Sequence, residues 1–192
     1  IFLVGLFMSP TIWADEVTDA AVKTFDQVAA SLTQLKNEEK LDAASLTIVV
    51  EQDILPNVDS KYFAYKALGK NLEKLTDDEK AEFVLVLQQN MIANYTNSLK
   101  GYKGEKFTVI SSKLASSQKL ATVTMKFKGL KNETDVLTKW RFSPGQDRWR
   151  MYDMVIEGVS LLQTKQSELL KSISTYGVAE TINKLRTKTE KV

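Results

Sequence analysis

The sequence predicts an α+β domain: a curved antiparallel four-stranded sheet wrapped by helices. Two changes of hydrophobic period carry that expectation. Apolar residues recur at steps of three and four up to Gly101, at steps of two from Phe107 to Ile156, and at helical spacing again from Leu161. With 192 residues, 43% of them hydrophobic, and no internal repeat or low-complexity linker, the chain has material for one such domain with a sizeable core.

A first helix is expected over residues 17–35, where Val17, Ala21, Phe25, Val28, Leu32 and Leu35 fall on one stripe. A second, around 41–52, should end before Leu55-Pro56, because proline disfavours helical geometry in the residue it follows. A short third runs through Tyr62, Phe63, Ala67 and Leu68 and stops at Gly69. Thr76-Asp77-Asp78-Glu79 fits a capping box and opens the next helix. That helix carries Val84, Leu87, Met91 and Tyr95, with Ala81, Phe83, Leu85 and Ile92 widening the apolar surface enough to cover a sheet.

The strands follow. Phe107 and Val109 begin the first; Ala121, Val123, Met125 and Phe127 alternate with Thr122, Thr124, Lys126 and Lys128 in the second. The third sets Val136, Thr138, Trp140 and Phe142 against Asp135, Leu137, Lys139 and Arg141, and Ser143-Pro144-Gly145 turns into a fourth near Arg148. From Trp149 to Ile156 that strand is apolar at both phases, so protein or ligand is expected against each face. Two helices close the chain, one through Leu161, Leu162, Leu169 and Ile173, the other through Val178, Ile182 and Leu185 after Tyr176-Gly177; the charged stretch 187–192 is expected to fray.

Composition removes several function classes. Lys and Arg number 26 against 24 Asp and Glu, too even a balance for a protein that lives by neutralising nucleic-acid phosphates. Cysteine and histidine are both absent, and with them the thiolate nucleophile, the usual neutral-pH proton shuttle and the ligands of most structural zinc sites. No glycine-rich phosphate loop is present.

Residues 1–14 read as the back half of a signal peptide. An apolar run (Ile1, Phe2, Leu3, Val4, Leu6, Phe7, Met8) meets a helix-breaking Ser9-Pro10, and the small Ala14 precedes the polar Asp15-Glu16, although Ile12 is larger than the residue usual two positions earlier. Export then leaves 15–192 as the single mature domain. A short buried N-terminal strand or helix is the alternative. No other apolar run approaches the roughly 18 residues that span a bilayer.

Two residue groups could carry function. The sheet face with Phe107, Met125, Phe127, Trp140, Phe142 and Met154 has the composition of an ordinary core, or of the wall of a cavity. Asp153 and Glu157, with Tyr152, could act as a general base with a phenolic partner in an isomerase or dehydratase; alternatively the two carboxylates make structural hydrogen bonds at the turn around Gly158 and Ser160. The charge-rich stretches 36–40, 71–80 and 184–191 mix signs and suit a solvated surface, or a docking patch for lipid headgroups.

The run Tyr152-Asp153-Met154-Val155-Ile156-Glu157-Gly158-Val159-Ser160-Leu161-Leu162, followed by Thr164-Lys165-Gln166, closely resembles the signature of the MlaC, or toluene-tolerance auxiliary, family. Leu55-Pro56-Asn57-Val58-Asp59 with Tyr62, Ala64 and Leu68-Gly69 resembles an earlier motif of that family, and Tyr95 to Leu99 with Tyr102-Lys103-Gly104 its segment before the first strand. The resemblance extends over residues 17–185.

It implies a nuclear-transport-factor-like cone with an apolar pocket, and a carrier without catalysis, metal or cofactor whose bound ligand is a phospholipid. It further implies a periplasmic location, and partners in the Mla system: an outer-membrane lipoprotein–porin complex and an inner-membrane ABC-transporter complex, between which lipid moves to maintain outer-membrane asymmetry. One chain suffices to enclose such a pocket. Each exposed CH₂ costs about 0.8 kcal/mol, so two acyl chains in water represent a barrier on the order of 20 kcal/mol that an apolar lining must remove. The expected lining is Val123, Met125, Phe127, Trp140, Met154 and Ile156 from the sheet and Leu87, Met91 and Tyr95 from the capped helix. Val159 is expected near the pocket, where a negative charge should expel lipid. An enzyme using the same cone, or a periplasmic chaperone with an open apolar groove, stands as the alternative.

Overall fold

The structure, a computed structural model, describes residues 10–129, 133–143 and 145–189. The first helix, α1 (Pro10–Asn37), starts earlier than its apolar stripe suggests. Pro10, expected to break helical structure, is itself helical. Residues 10–14 of the expected leader are therefore helical here; residues 1–9 lie outside the described residues, as do Pro144 in the expected turn and 190–192 in the expected frayed tail.

Asp42 caps α2 (Ala43–Val49) by accepting from Ser45 N at 2.9 Å. The chain then stays helical beyond the expected stop, through a π turn (Val50–Ile54) and a 3₁₀ turn (Leu55–Asn57). Pro56 falls in the first turn of the latter, where its missing N–H is not required, and Leu55 keeps helical φ and ψ of −58° and −38°. Asp59 caps α3 (Ser60–Leu68), which ends at Gly69 with φ 55° and ψ −131°, a conformation open to glycine alone. After a 3₁₀ stretch (Gly69–Lys74), the capping box is present as expected: Glu79 N donates to Thr76 Oγ1 and Thr76 N to Glu79 Oε2, and α4 (Asp77–Leu99) follows.

The sheet is an open antiparallel meander of five strands, β1 (Lys106–Leu114), β2 (Leu120–Lys128), β3 (Glu133–Ser143), β4 (Arg148–Ile156) and β5 (Val159–Ser160), in that spatial order. Four were expected; β5 has only two residues, too few to show alternation in sequence. It is folded back on β4 by Glu157 and Gly158, both at positive φ, and Ile156 pairs with Val159.

The ladder between β3 and β4 shifts by one residue between Lys139 and Trp140, which pair with Asp153 and Met151, so Tyr152 has no opposite number. This bulge corrects the expectation that β4 is apolar on two faces. Trp149 and Met151 stand opposite Phe142 and Trp140, while Met154 and Ile156 stand opposite Thr138 and Val136, so all four share one face. A second bulge on β1 turns Ile110 outward, where it is exposed.

The inner face of β2 and β3 is the centre of the core. Trp140 is fully buried; its Nε1 donates to Thr138 Oγ1 at 2.8 Å, and that hydroxyl donates to Val123 O at 3.2 Å, so the indole N–H is satisfied where water cannot reach. On α4 the buried side chains are Phe83, Val86, Leu87, Asn90, Met91 and Thr96, and Leu85, expected to widen the apolar face, points to solvent. Helix α1 lies along β1 and β2, joined by tilted ring contacts: Phe25 to Phe107 at 4.7 Å and Phe107 to Phe127 at 5.0 Å. A smaller cluster of Val28, Leu32, Leu46 and Val49 fixes α2 to the second half of α1.

Residues 55–59 are clasped to the sheet by three arginines. Arg141 Nη1 donates to Asp59 Oδ2 at 2.6 Å, Arg148 Nη2 to Pro56 O at 2.8 Å and Arg150 Nη2 to Val58 O. The last helix, α5 (Leu161–Thr189), packs on α3 and α4 and is broken at Gly177 (φ 80°, ψ 173°), giving the two helical segments expected on either side of that glycine.

Candidate binding cavity

Between the sheet and the helices lies a cavity of about 580 Å³, within the range of about 300–1,000 Å³ common for ligand sites. Each wall follows from local sequence. The stripe of α1 contributes Phe25, Val28 and Leu32; the π turn contributes Ile54 and the extended residue after the 3₁₀ turn Val58; β1 and β2 contribute Phe107 and Phe127; β4 contributes Met151, Met154 and Ile156; and α5 contributes Leu161. At one end Tyr102 and Glu105 line it, with Tyr102 Oη 3.1 Å from Thr33 Oγ1 of α1. Thr164, Lys165 and Glu168 line it from the first turns of α5. A second groove of about 290 Å³ runs between α2 and α4, and it is smaller and lined by Thr47, Glu51, Gln89 and Asn97 among others.

Of the ten residues expected at a site, Met91, Tyr95, Phe127, Met154 and Ile156 line the larger cavity. Leu87, Val123, Met125 and Trp140 do not: all four are at most 1% exposed and belong to the packed core cluster. Periodicity marks which face of a strand is buried, and cannot tell packed length from hollow length. Val159 is 58% exposed on β5 and outside the lining, because the tight turn at Glu157-Gly158 folds it away.

Sequence reasoning missed the α1 wall and a set of polar residues on α4. That helix turns two adjacent columns to the cavity, Met91, Tyr95 and Leu99 in one and Asn90, Asn94 and Ser98 in the other. Four-residue spacing of both columns was visible in sequence, but polar residues on a helix suggest solvent, which Asn94 and Ser98 do meet; only Asn90 is buried.

The electrostatics are those of a container with few free charges. Lys165 Nζ is 2.8 Å from Glu168 Oε2, and Glu105 Oε2 accepts from Lys103 N at 2.7 Å. Asp153, 1% exposed at its side chain, accepts from Lys139 Nζ at 2.9 Å, Ser160 Oγ at 2.8 Å and Leu162 N at 3.0 Å. These are structural hydrogen bonds between the end of β4 and the start of α5. Glu157 sits in the exposed turn, away from the lining. Burial, and secondarily the Asp153 charge, pushes the Tyr95 phenol up to about 12. Burial also raises Tyr152, whose ring meets Tyr62 edge-on at 5.1 Å. Among the described residues no cluster of three or more carboxylate, His or Cys side chains could hold a metal, and no helix is long and apolar enough to cross a membrane.

The model of the MlaC protein family matches residues 22–187, which includes every wall of this cavity. The chain belongs to the MlaC family. A curated relative, the intermembrane phospholipid transport system binding protein MlaC of Haemophilus influenzae, is 24% identical over 169 residues, 87% of this chain and 77% of that protein. The solved structure of the phospholipid-binding protein from Ralstonia solanacearum in complex with a phospholipid aligns with a TM-score of 0.79 at 18% identity, over 93% of this chain and 97% of that one. This chain and the Ralstonia solanacearum protein therefore share a fold despite wide sequence divergence.

Proposed function

We propose that this chain is a periplasmic phospholipid carrier. It holds the acyl chains in the cavity between sheet and helices, which together act as a cone around them, and leaves the headgroup at the mouth near water. The observation that carries this reading is an apolar hollow of about 580 Å³ in a chain whose fold is shared with a protein solved in complex with a phospholipid. Met91, Phe127, Met154 and Ile156, with Phe25 and Val28 of α1, supply the hydrocarbon-like wall. Methionines suit the task because an unbranched, polarisable side chain adapts to chains of different length and saturation.

The carrier exchanges lipid with an outer-membrane lipoprotein–porin complex on one side and an inner-membrane ABC-transporter complex on the other, which keeps the outer membrane asymmetric. A soluble shuttle only equilibrates lipid between donor and acceptor, so directionality comes from a partner that couples exchange to ATP. The general-base role weighed for Asp153 finds no support, since each of its oxygens already accepts from groups of β3, β5 or α5.

Native mass spectrometry of the protein purified from a periplasmic extract without detergent tests the proposal. A stoichiometric mass increment that resolves into diacyl phospholipids is the expected result. Lipid-free protein that also takes up no lipid from vesicles overturns it.

A further inference from the structure

A cavity that held only hydrocarbon would have no use for unpaired hydrogen-bond donors, yet this one has two. Asn90 is 2% exposed and lines the cavity; its Oδ1 accepts from Asn94 Nδ2 at 3.1 Å, and among the described residues its own amide N–H₂ has no acceptor. The Tyr95 hydroxyl, one turn further on, likewise has no hydrogen-bond partner among the described residues. Neither atom is sealed in protein, and Tyr95 is only half-buried: both open onto the cavity, so a ligand that filled it with hydrocarbon alone would strand them. By contrast, Ser98 Oγ and Thr24 Oγ1, which also face the cavity, donate to Asn94 O and Ala20 O of their own helices.

Resting on the carrier reading, we propose that Asn90 and Tyr95 form a polar station that donates hydrogen bonds to the ester carbonyls joining acyl chains to glycerol, which makes the site selective for ester-linked over ether-linked lipids. The donors are neutral, and Asp153 places a negative charge along the same cavity. The cations beside it, Lys139 and Lys165, are engaged by Asp153 and Glu168. A phosphate or a free carboxylate is thus disfavoured at this depth, whereas an uncharged carbonyl fits. Met91 and Leu99 flank the station on α4 with apolar surface for the hydrocarbon on either side.

The test offers delipidated protein an equimolar mixture of diacyl and dialkyl phosphatidylethanolamine of equal chain length, with bound species counted by native mass spectrometry. Wild type is expected to favour the ester-linked lipid about fivefold, the worth of one or two net hydrogen bonds. Tyr95→Phe, which keeps the ring, and Asn90→Leu, which keeps the branched shape without the amide, should each bring the ratio towards one. Should Asn90→Leu fail to fold, Tyr95→Phe alone decides. A wild-type ratio near one, or a preference that survives Tyr95→Phe, overturns the polar station and leaves the carrier reading intact. Palmitate that outcompetes both lipids and is weakened by Tyr95→Phe also overturns it, by giving the donors to a carboxylate. Failure to bind any of the lipids overturns the carrier reading itself.

Discussion

Ser160 Oγ donates to Asp153 Oδ2 at 2.8 Å, and the same oxygen atom of Ser160 accepts from Gln163 N at 3.0 Å. One hydroxyl thus joins a buried strand carboxylate to the open N-terminal turn of α5, where backbone N–H groups lack helical partners. Asp153→Ala strands both that hydroxyl and Leu162 N. The expected loss is about 2 kcal/mol of stability, read as a lower urea midpoint with unchanged m-value. Because Lys139 is partly solvated, its share of that loss is small.

Placement of a charge separates the cavity wall from the surface beside it. Met154→Glu puts a carboxylate against the acyl chains and should reduce co-purifying lipid by about tenfold or more. Val159→Asp lies five residues further along the family signature, but at an exposed site, and should retain lipid within about twofold of wild type. Phosphorus assay of the purified proteins compares the two.

Gly69 joins α3 to the 3₁₀ stretch at φ 55°, and a Cβ there would come within 3.2 Å of Gln166 Nε2. Gly69→Ala should cost about 1–3 kcal/mol, mostly from the backbone, since the glutamine side chain can move aside. A fall in Tm that Gln166→Ala does not rescue is the expected signature.

Tyr95 makes stability fall in alkali. Its phenol titrates near 10.0 in an unfolded chain and at about 12 in the fold, so below pH 10 both states are neutral and the folded protein has its full stability. Between pH 10 and 12 the unfolded state releases the proton first and gains about 1.4 kcal/mol per pH unit. Urea midpoints of wild type should therefore drop more steeply across this window than those of Tyr95→Phe.

Much of this architecture was legible because its signals are local. The Thr76–Glu79 capping box, the arrest at Gly69 and the alternation of Val136, Thr138 and Trp140 each involve residues a few positions apart. What escaped depends on counting across strands. Nothing in the order Met151-Tyr152-Asp153 reveals that Tyr152 is unpaired, and without that bulge β4 looks apolar on both sides. The site was legible in the same proportion. Met91, Tyr95, Phe127, Met154 and Ile156 line the hollow; Val123 and Trp140 face inward by the same alternation but are packed solid, and only the three-dimensional packing decides which inward residues touch empty space.

The unpaired Tyr152 has a consequence for where the cavity comes from. On one side of it Trp149 and Trp140 are packed solid; from Met151 onward the strand borders the hollow. A strand carrying one residue more than its neighbour must bend, and the twist increases at that point. Part of the shape of the hollow's β4 wall is therefore stored in the backbone and not only in the choice of side chains. Trimming Met154 or Phe127 would enlarge the hollow and filling either would narrow it, whereas deleting Tyr152 would re-aim every β4 side chain on one side of it at once.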